Sequence, residues 1–234
     1  MGKIIFLSYL FLPIMSVVNS QTPDKLTSKE IKEGWILLFD GTSTKGWTTT
    51  QGLEVPSGWV VSDGCITAIK GGKGGDIITK DEYSSFDFSV DFKIETGCNS
   101  GIKYFFTRYE RGGNLGMEYQ IIDDINGEDN KQENHLCGSF YDVLPAEASK
   151  KKVNAPGNWN TIRILATGKK VEHWLNGVNI LTFERGNIQF TDAVALSKFN
   201  KTEPAFGMVD KGHILLQEHG GVVSFRNIKI KIIK

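Results

Sequence analysis

Phe86-Asp87-Phe88-Ser89-Val90-Asp91-Phe92-Lys93-Ile94-Glu95 alternates apolar and polar residues without a break. Period-two alternation puts every second side chain on one face of an extended chain, so this stretch specifies a strand buried on one side and wetted on the other. Working outward, strands are also expected at residues 59–63, 66–69, 102–107, 159–166, 171–175 and 178–183. The last two flank Asn176-Gly177, a type I′ hairpin signal because both central residues must take positive φ. Residues 222–233 close the chain as a long strand, with Val222, Ser224, Arg226, Ile228, Ile230 and Ile232 expected on one face. Helix signal is confined to a short turn at 28–33 and a short helix at 191–199, capped by Thr191 or Asp192. Many strands separated by Gly, Asn and Asp turns specify an all-β fold, an antiparallel β-sandwich or jelly roll. Residues 123–133 read as a long acidic loop, a kind of loop that often borders a binding site.

The first twenty residues run in the order of a secretory leader: Lys3, an apolar stretch broken by Pro13, then the small residues Val18-Asn19-Ser20. They are read as a removed signal peptide, which sends the protein to the periplasm or the extracellular space. Residues 21–234 fit one all-β domain. Removing Lys3 with the leader leaves 26 basic against 27 acidic side chains. A near-neutral chain offers no one-signed basic surface, so neither nucleic acid nor membrane insertion is expected. Cys65, Cys98 and Cys137 are too few for a disulfide scaffold and read as small residues on strands or strand ends.

Met117-Glu118-Tyr119-Gln120-Ile121-Ile122-Asp123-Asp124 is the richest segment for chemistry. On a regular strand Glu118 and Gln120 share a face, and Asp123 joins them if a β-bulge near Ile121-Ile122 shifts the phase. Two carboxylates and an amide on one face suit acid/base work on a glycosidic bond; the plainer alternative is an amphipathic strand with a solvated face. Gln217 and His219 share a face further on, and imidazole exchanges protons near neutral pH. His173 shares a face with Val171 and Leu175, so a core histidine rivals a functional one. His135 follows the acidic loop, a setting for a solvent-accessible role. Gly71-Gly72-Lys73-Gly74-Gly75 lacks the Lys-Ser/Thr of a phosphate loop, and His135 and Cys137 lack the second pair of a structural zinc site. No cofactor is called for, although the Glu, Asp and His residues leave a divalent metal open.

Taken in order, these segments resemble the 3-keto-disaccharide hydrolase domain family, which has a concanavalin A-like jelly-roll fold. The matching pieces are Gly34-Trp35 with Leu38-Phe39-Asp40-Gly41, Asn99-Ser100-Gly101-Ile102, Glu118-Tyr119-Gln120-Ile121-Ile122-Asp123, and His135 before Tyr141-Asp142. They continue with Glu172-His173-Trp174-Leu175-Asn176-Gly177, Leu216-Gln217-Glu218-His219-Gly220, and Phe225-Arg226-Asn227-Ile228. The resemblance implies activity on a glycoside or disaccharide already oxidised at C3 of one sugar. It implies a site of Glu118, Gln120, Asp123, His135, Tyr141, His173, Gln217 and His219, with Arg108 and Lys198 further out. The family often carries Asn where this chain has Asp124, and Gly where it has Cys98.

A more distant resemblance, to laminarinase-type glycosidases with a bulged Glu-x-Asp-x-x-Glu strand, places Gln120 where a carboxylate would stand. That disfavours double displacement. The expected route removes the C2 proton, expels the aglycone and adds water, with His219 or His135 as base, Glu118 as acid, and Gln120, Gln217 and Tyr141 as donors. The alternative is a non-catalytic, lectin-like sugar-binding module on the same fold.

Overall fold

The alternating stretch is the strand it promised, Phe86–Ile94, and its apolar residues Phe86, Phe88, Val90 and Phe92 are fully buried. The computed structural model describes residues 25–233, so the leader expected over residues 1–20 lies outside the described residues. In chain order the elements are α1 (Ser28–Lys32), β1 (Trp35–Leu37), β2 (Trp47–Thr49), β3 (Trp59–Ser62), β4 (Cys65–Ala68), β5 (Ile77–Thr79) and β6 (Phe86–Ile94). Then come β7 (Asn99–Tyr109), β8 (Gly113–Ile122), β9 (Asn160–Thr167), β10 (Lys170–Leu175) and β11 (Val178–Glu184). The chain closes with α2 (Ile188–Leu196), α3 (Phe199–Thr202), β12 (His213–Leu216) and β13 (Val223–Ile232).

The strands form two antiparallel sheets. The larger runs β11-β10-β9-β6-β13-β4-β3, with β1 also paired to β13; the smaller runs β2-β5-β12-β7-β8. Their apolar faces meet in one core, where Phe86 of the larger sheet contacts Tyr104 of the smaller at 6.4 Å between ring centroids. Each such side chain removed from water contributes about 1.5–3 kcal/mol, which is why alternation alone could select this architecture. The fold is an antiparallel β-sandwich of the jelly-roll type.

The outer face of the larger sheet is an ion-pair lattice. Asp87 accepts two hydrogen bonds from Arg163, at 2.7 and 3.0 Å. Trp159 lies beneath Lys93 and Arg226, Trp174 beneath Arg163, and Trp35 beneath Lys231. Trp47 and Trp59 are buried in the core.

Three local expectations fail. β13 slips register between Arg226 and Lys229, where Asn227 takes φ +53°. Val223 and Phe225 therefore face the core with Ile228 and Ile230, and the uninterrupted even-numbered face does not exist. The second helix begins at Ile188, because the Asn187 side chain accepts from the Phe190 N–H at 2.8 Å and caps it there; Thr191 and Asp192 lie inside. The bulge expected at Ile121-Ile122 is absent: β8 pairs with β7 regularly through Ile122, and the slip lies between Tyr104 and Thr107. Asn176 and Gly177 do take φ +49° and +81°, as the hairpin requires. Cys98 and Cys137 are buried and Cys65 is half-buried.

Candidate active site

The site is built around a glycine. In the smaller sheet β7 lies between β8 and β12, so Gly101 is opposite Gln120 on one side, while on the other its carbonyl accepts from the Gln217 N–H at 3.0 Å. Because Ile102 and Tyr104 point into the core, Asn99, Gly101 and Lys103 point out. The same alternation on β8 turns Tyr119 and Ile121 inward and Glu118 and Gln120 outward. Four polar side chains, Asn99, Lys103, Glu118 and Gln120, thus ring a bare spot. A β-carbon added at Gly101 would stand 2.9 Å from Glu118 Cδ and Cγ, so the glutamate lies directly over that spot.

A cleft of about 150 Å³ opens above it, walled further by Asn114, Tyr141, Lys198, Phe199 and His219. Lys103 Nζ stands 3.7 Å from Glu118 Oε2, and Lys198 Nζ lies 4.2 Å over the Tyr141 ring. Burial raises the proton affinity of Glu118, and the positive charges of Lys103 and Lys198 only partly oppose it. Asp76, just before β5, is likewise pushed up by burial against the pull of Lys103; its Oδ1 accepts from the Glu218 N–H at 3.0 Å, beside His219. Asn99 Oδ1, Gln120 Oε1 and Gln217 Oε1 are buried and have no hydrogen-bond partner among the described residues. An unpaired buried polar atom costs about 1–3 kcal/mol, so three around one cleft mark a surface shaped for something that binds there.

Residues 34–231 match the 3-keto-alpha-glucoside-1,2-lyase-like domain. The chain belongs to that family. Among its relatives, a Bacteroides thetaiotaomicron protein named 3-keto-disaccharide hydrolase is 32% identical, over 86% of this chain and 79% of its own length. A crystal structure from Parabacteroides distasonis, assigned as a glycosyl hydrolase, superposes with a TM-score of 0.81 at 32% identity, covering 90% of this chain and 99% of that one. A second glycosyl hydrolase assignment from the same organism gives 0.64 at 28% identity, covering 85% and 99%.

Of the residues singled out in the sequence of this 3-keto-alpha-glucoside-1,2-lyase-like chain, Glu118, Gln120, Tyr141, Lys198, Gln217 and His219 meet in the cleft. Four do not. Asp123 is a loop anchor: buried, it accepts from the N–H groups of Gly97, Ile125 and Asn126 and from the Asn126 amide at 2.9–3.2 Å. Burial pushes its carboxyl up, but those donors outweigh burial and hold it below its ordinary value. His173 is wholly buried between the sheets, its Nδ1 2.9 Å from the Gly138 carbonyl and its Nε2 2.8 Å from the Tyr104 hydroxyl. The core reading of this histidine is correct. Burial lowers its pKa to about 4. Arg108 is exposed on β7 outside the cleft.

His135 stands behind the cleft. Its Nδ1 is 2.8 Å from Asp129 Oδ1 and its Nε2 2.9 Å from Asp142 Oδ1, so neither ring nitrogen is left for substrate. The clamp reaches the cleft through others. Tyr141 donates its hydroxyl proton to Asp129 Oδ2 at 2.7 Å, and Asp142 Oδ2 accepts the Lys198 N–H at 2.7 Å. Tyr141 is therefore not a spare donor, contrary to the role first expected of it. Asp124 pairs with Lys151 at 2.7 Å and accepts the Cys137 N–H, well occupied as a brace.

Asn99, Lys103, Asn114, Phe199 and Asp76 were missed. Extending the alternation of residues 102–107 backward places Asn99, Gly101 and Lys103 on one face, so two of them were within reach. None of the five tryptophans lines the cleft. Among the described residues no group of three or more His, Cys, Asp or Glu side chains is placed to hold a metal ion, and no helix is long and apolar enough to cross a membrane.

Proposed function

We propose that the cleft cleaves the glycosidic bond of a sugar carrying a ketone at C3, by elimination and then hydration. The observation that carries this reading is that, among the described residues, Glu118 is the only carboxylate lining the cleft and is ringed by amides and two lysines, while Asp76 beside it is turned to the Glu218 N–H. Ordinary glycoside hydrolysis uses two carboxylates about 5–9.5 Å apart across the bond. A ketone at C3 removes that need, because it acidifies the C2 proton. Glu118 takes that proton, and the C2–H electron pair moves into an enolate. The enolate collapses to a C1–C2 double bond as the C1–O bond breaks, and the electron pair of that bond goes to the leaving oxygen, which takes up a proton. Water then adds, hydroxyl to C1 and proton to C2, so that the net change is hydrolysis.

The side chains suit these steps. A desolvated glutamate is a base strong enough to work near neutrality. Lys103 and Lys198 offset the charge on the enolate oxygen. The amides of Asn99, Gln120 and Gln217 are free to hold ring hydroxyls, and His219 at the mouth supplies the leaving oxygen with its proton. This exchanges the roles first expected of Glu118 and His219 and removes His135 from the list of bases. The ketone requirement is supported by the family's description and by the name of the Bacteroides relative. The leader-like residues 1–20 support work outside the cytoplasm.

Cleavage of a 3-keto-glucoside in deuterium oxide tests the reading. Deuterium is expected at C2 of the released sugar, and Glu118→Gln should slow both cleavage and labelling by a factor of about 10²–10⁴. Turnover that leaves C2 unlabelled sinks the elimination route, and binding without turnover returns the protein to the lectin-like class.

A further inference from the structure

The cleft has a neighbour. A second cavity, about 580 Å³, shares two of its wall residues, Asn99 and His219, with the first. Its other walls come from the turns after β4, before β7 and before β13 and from the 123–133 loop, with Lys70, Glu95, Thr96, Glu128 and Asp129 among them. The two spaces are also tied through Asp129, which lines the second and holds Tyr141 of the first at 2.7 Å.

We propose that this second cavity holds the group released from C1, and that the group is neutral and rich in hydroxyls. The inference rests on the cleavage reading above and names the leaving half of its substrate. Three observations lead to it. A cleft of about 150 Å³ is less than a small-molecule site usually offers, so a two-ring substrate must extend beyond it. A continuation through shared walls runs past His219, the residue placed to protonate a leaving oxygen, and past Asn99, whose buried Oδ1 has no partner among the described residues. The chemistry of the second cavity then selects. Among the described residues it has no Phe, Tyr or Trp side chain on which an aryl aglycone could stack. Its carboxylates Glu95, Glu128 and Asp129 outnumber its one lysine, Lys70, and repel an anionic group such as a uronate. Asp129 stays charged, because the hydrogen bonds from Tyr141 and His135 outweigh the upward push of burial.

The experiment compares a neutral 3-keto-disaccharide with the 3-keto methyl glycoside of the same sugar, in turnover and by calorimetric binding. Thr96 is exposed on the cavity wall, so Thr96→Trp fills the space without entering the core. The expected result is a drop of about tenfold in the preference for the disaccharide over the methyl glycoside, seen in kcat/KM and in Kd. Glu95→Gln with Glu128→Gln should raise relative acceptance of a 3-keto glycoside bearing a uronate leaving group. An unchanged preference in Thr96→Trp, in both turnover and binding, overturns the proposal while leaving cleavage intact. If the wild type turns over neither compound, the cleavage reading falls, and the binding preference alone still decides whether the second cavity holds the second ring.

Discussion

The Glu118 carboxylate rests on Gly101, where an added β-carbon would stand 2.9 Å from Cδ and Cγ of the glutamate. The neighbour that would have to move is the free end of a side chain rather than backbone. A methyl group there costs the fold little and the placement of Glu118 a great deal. Gly101→Ala is expected to lower kcat by about tenfold to a hundredfold, the effect of displacing a reacting group by roughly 1 Å. Thermal unfolding should barely change. Loss of folding with loss of activity would show that the glycine serves the sheet rather than the glutamate.

Burial raises the Glu118 pKa and Lys103 restrains it. If Glu118 acts as base, activity falls as pH drops through that pKa, giving the acidic limb of kcat/KM. Lys103→Met removes the cation that favours the carboxylate, so the limb should move to higher pH. Glu118→Gln should cost about 10²–10⁴ in kcat. A Lys103→Met profile shifted toward lower pH would contradict the assignment.

His173 is neutral in the fold, its pKa lowered from 6.5 to about 4. The unfolded chain gains that proton first as pH falls, so the contribution is complete above about 6.5 and is lost on the way down to about 4. The slope for one proton is about 1.4 kcal/mol per pH unit. Urea melts of the wild type and of His173→Phe across this window should differ in slope. His173→Phe should also lower stability at pH 7, because it strands the Tyr104 hydroxyl and the Gly138 carbonyl. KM should stay the same.

His135 holds two carboxylates that in turn fix Tyr141 and Lys198. His135→Ala leaves Asp129 and Asp142 facing one another and should cost about 1–3 kcal/mol of stability. Because the clamp lies behind the cleft, the kinetic effect should be a modest fall in kcat/KM through displaced Tyr141 and Lys198. A kcat loss as large as that of Glu118→Gln, with KM unchanged, would instead place His135 in the chemistry.

The long strands were legible because alternation is a local property: Phe86–Ile94 and the Asn176-Gly177 hairpin need no knowledge of the rest of the chain. β2 and β5, with three residues each, carry too little sequence to show a period. Glu118 with Gln120, and Gln217 with His219, could be paired because each pair lies two residues apart. Asp123 and the outer face of β13 could not be placed, since a register slip is decided by the neighbouring strand. Asp76 reaches the site only through the lateral order of β5, β12 and β7, which no local pattern encodes.

On β7 and β8 the odd and even residues answer to different masters. Ile102, Tyr104, Tyr119 and Ile121 keep the two sheets together, while Asn99, Lys103, Glu118 and Gln120 line the cleft. The two alphabets are interleaved but independent. Mutation can therefore rewrite the working letters one at a time without risking collapse, and a lineage carrying this sheet is free to exchange one sugar chemistry for another much faster than it could change its architecture.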